Sequence, residues 1–293
     1  MKAGLPPVIV IGMHRSGTAL VARALRAMGV FVGADLDPNH EARFFRNAND
    51  WLLRQAGAAW DRPEAFQTLL DHLEARALAV AYLRALLRTP YVIRYLGWGR
   101  YFRFRHPARL RQAWGWKDPR NTFTLPIWLE IFPGTRVLHI SRHGVDVAAS
   151  LLIRQQALLR QSRQRLERQP VRFAMGWPRF KYSGLSNTLR GTTLAAGFML
   201  WETYLDHARA HLKNLGTQGL EVRFEELLVK PGETLARLAA FMELPEPAAD
   251  SGLAKLRADL QPERACAYRR APELSTFARE QAHKLRARGF EVS

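Results

Sequence analysis

The sequence is poor in the features that cross-link a protein or fix it in a membrane. Among its 293 residues only Cys266 is a cysteine, which excludes an intramolecular disulfide and a cysteine metal cluster. No uninterrupted apolar run approaches the roughly 18 residues of a membrane-spanning helix. Arg15 interrupts the first apolar stretch too early for a signal peptide. We therefore expect a cytoplasmic protein, with association to a membrane surface left open.

Acidic residues are scarce beside basic ones. The chain has 44 Lys and Arg against 26 Asp and Glu, a formal net charge of +18. This excess favours anionic ligands: phosphates, sulfated or carboxylated acceptors, nucleic acid or an anionic membrane surface. A GC-rich coding sequence, which favours Arg over Lys, accounts for part of it. Since the hydrophobic content of 47% is ordinary, we expect one globular domain spanning residues 1–293.

The first strongly patterned stretch covers residues 7–28. The β-branched run 8–11 is typical of a strand buried on both faces of a parallel sheet, and apolar residues return at helical spacing from Thr18 onward. A strand, a loop bounded by Gly12 and Gly17, and a helix follow in this order. This arrangement places backbone N–H groups at a helix N-terminus, where a phosphate or another oxyanion binds.

This loop is similar to a Walker A loop but lacks its lysine. Thr18 stands where the nucleotide-phosphate lysine belongs. The cation is instead Arg15, whose planar guanidinium suits two oxygens of one phosphate. An ordinary strand-to-helix turn with a solvated Arg15 is the alternative.

The same strand, turn and helix arrangement returns later in the chain. Residues 135–141 read as a strand that ends at Arg142, and a helix opens near Val145. A third strand is predicted at 220–224, and 30–33 is a weaker strand candidate. These units predict an α/β fold with a P-loop-like parallel sheet flanked by helices, whose ligand lies at the C-terminal strand ends. Further helices are predicted at 51–57, 64–87, 122–132, 193–212 and 231–242, with a last one ending near 288.

Two stretches are strongly basic. Residues 84–111 contain eight arginines and no acid, interleaved with aromatic residues, and 154–190 contain nine basic residues against Glu167 alone. Basic grooves with stacking aromatics bind single-stranded nucleic acid, whereas solvated arginines also cover aromatic surface without any ligand. We interpret 60–112 and 154–190 as helical, basic insertions on the acceptor side of the site.

The loop GMHRSGTAL, following a strand, resembles the loop by which sulfotransferases that use 3′-phosphoadenylyl sulfate (PAPS) wrap the 5′-phosphosulfate. The resemblance implies that the donor-binding residues are His14, Arg15, Ser16, Gly17, Thr18 and Ala19. A second family signature is a strand ending in Arg with Ser eight residues later, which Arg142 and Ser150 match. In the family these two side chains bind the 3′-phosphate. Two motifs in the right order are more specific than either one.

A third match is Trp116-Lys117-Asp118-Pro119, which resembles the Lys-Asp-Pro segment of tyrosylprotein sulfotransferases and bacterial relatives. The resemblance implies that Lys117 contacts the transferring sulfonate, where a cation stabilises charge developing on the bridging oxygen; a surface ion pair is the alternative. Asp118 is expected to cap the following helix, with Pro119 at its first position.

The general base is less specified. Tyrosylprotein sulfotransferases place a glutamate on the helical segment after the loop, and Glu41 is our first candidate there, opening a helix. His40 is second, since imidazole is the base of cytosolic sulfotransferases. An ordinary acid at a helix N-terminus is the alternative for Glu41. Tyr268 and Arg270 are hypothesised to close over the nucleotide, and Phe224 stands where the family has a tyrosine.

The resemblance implies a PAPS-dependent sulfotransferase that moves a sulfonate in line to an acceptor hydroxyl or amine, releases adenosine 3′,5′-bisphosphate and needs no metal. One alternative is a P-loop nucleotide kinase or phosphotransferase, which would depend on Mg²⁺. Another is a nucleic-acid-binding protein using residues 84–111, with salt-dependent affinity; we expect no specific nucleic acid. The acceptor is open, with an anionic glycan or a lipid favoured by the basic stretches, and the oligomeric state is not predicted.

Overall fold

The computed structural model describes residues 5–175, 188–244 and 252–292. Its centre is a parallel four-stranded sheet in the order β2-β1-β3-β4. The strands are β1 (Val8–Ile11), β2 (Gly115–Lys117), β3 (Arg136–Ser141) and β4 (Gly219–Arg223). Val10 pairs with Lys117, and Ser141 with Arg223, so all four strands end at one edge of the sheet. The predicted α/β fold with a parallel sheet flanked by helices is confirmed.

Helices flank this sheet and also form elsewhere in the chain. Within the described residues they are α1 (Thr18–Ala27), α2 (Arg43–Gln55), α3 (Phe66–Asp71), α4 (Leu73–Leu86), α5 (Ile93–Phe104), α6 (Asn121–Ile131), α7 (Gly144–Arg168), α8 (Pro170–Ala174), α9 (Leu194–Leu215), α10 (Phe224–Val229), α11 (Pro231–Phe241), α12 (Leu253–Ala258), α13 (Pro272–Glu280) and α14 (Ala282–Ala287). None of these described helices is long and apolar enough to cross a bilayer.

The chain forms two compact units. The first comprises residues 1–142 with 204–265, and the second 143–203 with 266–293. In the first, β1 is buried along its whole length, and its apolar side chains join those of α1, α11 and α12 in one core cluster. In the second, the rings of Phe198 and Trp201 pack beside Gly144 so closely that a Cβ there would clash. The one-domain expectation and the two insertions stay predictions, and residues 176–187 of the second insertion lie outside the described residues.

The structure differs from the strand prediction at two places. β2 was not expected, because three residues are too few to show an alternating pattern and its strand conformation depends on pairing with β1. The candidate strand 30–33 is reduced to a single bridge between Phe31 and Trp114.

Two predicted helices also differ. The expected helix 64–87 is two helices, α3 and α4, because His72 has an extended backbone and its imidazole caps α4 by accepting the N–H of Ala75 at 3.3 Å. The helix expected from Trp51 begins earlier, at Arg43. Phe44, Phe45 and Ala48 are buried at helical spacing, so the amphipathic pattern extends ahead of Trp51.

Candidate active site

The loop between β1 and α1 is held by a hydrogen bond within itself and by another to α6. Ser16 folds back, its hydroxyl donating to the carbonyl oxygen of Met13 at 2.6 Å, and Gly12 N–H donates to Thr122 Oγ1 at 3.1 Å. Gly17 has a φ of 94°, a conformation that suits glycine, and precedes the first turn of α1. Among the described residues no side chain caps this turn, so its N–H groups suit an anion.

The predicted loop residues differ in environment. The Arg15 side chain is exposed, Ser16 and Thr18 are buried, and Ala19 is half-buried. His14 is half-buried, with its ring edge-on to Trp60 at a centroid distance of 4.6 Å. The loop therefore combines an exposed guanidinium with an imidazole held by aromatic contact.

Arg142, directly after β3, is fixed against this loop. It is 7% exposed and donates to the carbonyl oxygens of Arg15 at 3.3 Å and Arg264 at 3.2 Å. Its guanidinium carbon lies 4.6 Å from the centroid of the Phe224 ring. That ring also abuts Gly17, where a Cβ would clash with it. The phenylalanine, found where the family has tyrosine, therefore packs against both the loop and the arginine.

Lys117 and Glu41, 76 residues apart, form an ion pair with 2.8 Å between Nζ and Oε1. They are 3% and 4% exposed. Lys117 also donates to the carbonyl oxygen of Asn39 at 3.1 Å. Asp37 holds the Glu41 segment by accepting the N–H groups of Asn39 and Glu41 at 2.8 and 2.9 Å. Glu41 lies two residues ahead of α2, close to the predicted helix start.

Arg120, to which the sequence analysis assigned no role, lies among three acids. Its guanidinium lies 3.6 Å from Glu41 Oε2, 3.0 Å from Asp118 Oδ1 and 2.8 Å from Asp50 Oδ1. Burial raises the pKa of the Glu41 carboxyl, while the charges of Lys117 and Arg120 oppose that rise. Asp118 Oδ1 accepts the backbone N–H of Arg120 at 3.0 Å. The expectation that Asp118 caps α6 with Pro119 at its first position is wrong, because α6 begins at Asn121, and its cap residue is Arg120.

His40, the second base candidate, has a φ of 60° and is half-buried. Burial lowers the pKa of its imidazole, and the positive charges of Arg23, Lys117 and Arg26 lower it further. The ring is therefore neutral near pH 7, the form that accepts a proton. Both base candidates thus lie in one segment beside Lys117.

Asn49, on α2, makes hydrogen bonds to Asp118 of this cluster and to residues of α6. Its amide nitrogen donates to Asp118 Oδ2 at 2.9 Å and Asn121 Oδ1 at 2.7 Å. Its amide oxygen accepts from Thr124 Oγ1 at 2.8 Å and Trp128 Nε1 at 2.7 Å. Such a fully paired buried amide fixes α2 against α6. No sequence signal marks Asn49, since its partners lie about seventy residues away.

The rings of Tyr204 and His14 are neighbours beside the loop and the acids around Arg120. Tyr204, fully buried, donates its hydroxyl to the carbonyl oxygen of Trp60 at 2.8 Å. Burial raises the pKa of this phenol well above its usual value, while the Arg120 charge opposes the rise. The His14 ring lies 6.3 Å from that of Tyr204. Tyr204 lies on α9, and no local sequence signal distinguishes it from the core residues of that helix.

The other predicted nucleotide contacts belong to the second unit. Ser150 is half-buried on α7, and Arg270 is exposed. Tyr268 is fully buried, with its ring stacked on His143 at 4.2 Å and its N–H donated to Asp146 Oδ1 at 2.8 Å. The Tyr268 ring is thus occupied by packing within this unit. Nucleotide binding by Ser150, Tyr268 and Arg270 stays a prediction.

The groups suited to an anionic cofactor are the loop N–H groups, Arg15 and Arg142. Each offers hydrogen-bond donors, and the two guanidiniums add positive charge. Within residues 5–175, 188–244 and 252–292, no group of three His, Cys, Asp or Glu is arranged to hold a metal ion. Metal independence remains a prediction of the resemblance.

Comparison with known proteins gives the family and the fold. The model of the sulfotransferase family matches residues 6–248. The sulfotransferase domain from the curacin biosynthetic pathway aligns with a TM-score of 0.52 and 14% identity, over 99% of this chain and 100% of that one. The corresponding domain of the Synechococcus PCC 7002 olefin synthase gives 0.46 and 16%, over 90% and 83%. A sulfotransferase from Alicyclobacillus acidocaldarius gives 0.45 and 16%, over 98% and 97%. No curated protein matches the sequence.

Proposed function

The chain belongs to the sulfotransferase family, and on this premise we propose that it transfers a sulfonate group from PAPS to an acceptor hydroxyl or amine by in-line displacement. The observation that carries the proposal is the buried pair of Lys117 and Glu41, 2.8 Å apart. It lies at the edge of the sheet where β1 runs into the loop of Arg15. A cation and a candidate base thus adjoin a loop suited to a phosphosulfate.

The donor site fits the residues present. PAPS would supply the sulfonate, and adenosine 3′,5′-bisphosphate would be the leaving group. The loop N–H groups and Arg15 would hold its 5′-phosphosulfate, as at other helix N-termini that bind anions. Arg142, fixed between Phe224 and the loop, would hold the 3′-phosphate. This scheme uses no metal ion.

The chemistry follows from the charges around Glu41. Glu41 accepts the proton that the acceptor oxygen loses as it bonds to sulfur. Lys117 stabilises the negative charge that develops on the bridging oxygen of the leaving group. Burial raises the pKa of Glu41 and so makes it a stronger base than an exposed carboxylate. Arg120, 3.6 Å from the second Glu41 oxygen, keeps the carboxylate oriented.

Phosphoryl transfer is the weaker alternative. Family membership favours sulfonyl transfer, and Thr18 occupies the position where a nucleotide kinase needs its lysine.

The test is transfer of ³⁵S from labelled PAPS to a mixed pool of phenol, sugar, lipid and amine acceptors, without Mg²⁺. We expect labelled product with the wild type and a loss of at least about a hundredfold with Glu41→Gln. Equal labelling by both proteins would contradict the role of Glu41. Absence of labelled product, combined with Mg²⁺-dependent transfer from [γ-³²P]ATP to the same pool, would contradict the proposed function.

A further inference from the structure

The second half of α5 presents aromatic rings to solvent. Trp98 and Phe102 are 65% and 62% exposed, and their rings stack on each other with centroids 5.8 Å apart. The Tyr101 ring lies 6.0 Å from that of Phe102. We call Trp98, Tyr101 and Phe102 the α5 aromatic patch. Since contiguous exposed apolar surface is unfavourable in water, a patch of this kind marks an interaction site.

A glycine turns this patch outward. Gly97 has φ 71° and ψ 163°, a combination that only glycine adopts readily. Before it, Tyr95 and Leu96 are fully buried. After it the helix resumes with Trp98. The two halves of α5 therefore do not share one apolar face, and apolar residues of the second half project into solvent.

The charge around the patch is of one sign. No Asp or Glu occurs between residues 75 and 117. Arg100, Arg103 and Arg105 are exposed, and in the described part of the chain none of them forms an ion pair. The guanidinium of Arg105 lies 4.8 Å from the Tyr101 ring centroid and 5.4 Å from that of Phe102. The patch is therefore apolar at its centre and positive around it.

We propose that the α5 aromatic patch docks on an anionic phospholipid surface. Trp and Phe rings partition into the region between head groups and acyl chains, and arginines beside them are attracted to the phosphates of anionic lipid. This interaction goes beyond the proposed sulfonate transfer and does not depend on it.

Lipid fits this surface better than single-stranded nucleic acid does. Bases bind proteins by stacking on free ring faces. Here the Trp98 and Phe102 rings face each other, and Arg105 lies over Phe102 and Tyr101. Each of the three rings therefore already has a neighbour over a face, which leaves less open ring face for a base.

The experiment is co-sedimentation of the full chain with two kinds of vesicle, phosphatidylcholine alone and phosphatidylcholine containing phosphatidylglycerol. We expect binding to the anionic vesicles only, reduced at least about tenfold by Trp98→Ser with Phe102→Ser, because binding strength scales with buried apolar area. The matched control is Ile153→Ser with Val229→Ser, two apolar residues exposed to a similar degree elsewhere. Circular dichroism and thermal unfolding check that each variant is folded.

A second readout does not depend on sedimentation. Trp98 is the most exposed tryptophan of the described residues, so brominated lipid should quench fluorescence of the wild type and much less that of Trp98→Phe. The proposal is overturned if the wild type ignores anionic vesicles, or if the Trp98 and Phe102 substitutions leave vesicle binding unchanged. It is also overturned if the protein binds a single-stranded oligonucleotide but no vesicle, and if the Trp98 and Phe102 substitutions abolish that oligonucleotide binding.

Discussion

Two charged regions of this protein are built in opposite ways. At the sheet edge, Glu41, Lys117 and Arg120 are largely buried, and each has a counter-charge within 3.6 Å. At the end of α5 and directly after it, the exposed Arg103 and Arg105 lie over aromatic rings, and in the described part of the chain neither forms an ion pair. Buried charges need partners because desolvation is costly, whereas exposed charges are screened by water and salt. Single substitutions should therefore have large effects at the edge of the sheet and small ones on α5.

The largest effect that would sharpen this contrast is expected from Glu41→Gln. The substitution keeps the shape of the side chain but removes its capacity to accept a proton, so kcat for sulfonate transfer should fall by about two to four orders of magnitude. Glu233→Gln, an exposed acid on α11, serves as control and should leave kcat unchanged. A Glu41→Gln enzyme with nearly full activity would transfer the base assignment to His40.

The next effect concerns stability. Asn49→Ala removes one hydrogen bond from each of four buried partners, so the free energy of unfolding should fall by about 3 kcal/mol. Asn47→Ala, on the same helix, removes an exposed bond to Tyr91 and a long one, 3.4 Å, from Arg46, and should cost less than about 1 kcal/mol. Urea denaturation measures both. Similar losses for the two variants would mean that burial of the Asn49 network does not matter.

The pH dependence of transfer tests which group is the base. The protonated carboxyl of Glu41 cannot accept a proton, and burial raises its pKa, so kcat/KM should fall with decreasing pH at values above the usual glutamate range. His40→Asn should preserve this acidic limb. If His40 were the base, its lowered pKa would set the limb, and His40→Asn would abolish it together with activity.

The smallest effect is expected on α5. Arg103→Gln removes one of several exposed charges, and a single basic residue near an anionic membrane contributes about 1 kcal/mol, or roughly fivefold in affinity. Vesicle binding should therefore weaken by no more than this and should decline with added salt. Complete loss of binding from this one change would mean that a single charge on α5 matters as much as one in the buried cluster, which would contradict the contrast between the two regions.

Features with local signals were predictable from sequence. The β-branched run of β1, the flanking glycines and the helical spacing after Thr18 are neighbours in the chain, and together they specify the strand, loop and helix. The resemblance brought Glu41 and Lys117 to attention as separate residues. Their 2.8 Å pairing depends on how the segment before α2 meets β2, which no local pattern encodes.

What could not be predicted depends on distant partners. The strand conformation of β2 is set by pairing with β1, and Asn49 is set apart only by side chains on α6. The break at His72 was not predicted because the pattern of Ala and Leu residues continues past it, whereas the backbone of His72 is extended rather than helical. The exposure of Trp98 follows from the conformation of Gly97, and in sequence its aromatic neighbours fitted a core as well as a surface.

The central claim is that this chain binds a 3′-phosphorylated adenine nucleotide as sulfonate donor. Calorimetric titration of adenosine 3′,5′-bisphosphate and of AMP into the wild type, Arg142→Ala and the exposed control Arg237→Ala tests it most directly. We predict that the wild type and the control bind the bisphosphate more tightly than AMP, and that Arg142→Ala weakens bisphosphate binding about 10- to 100-fold, since a charged hydrogen-bond donor to phosphate is lost. Equal affinity for the two nucleotides, or no effect of Arg142→Ala, would contradict the account.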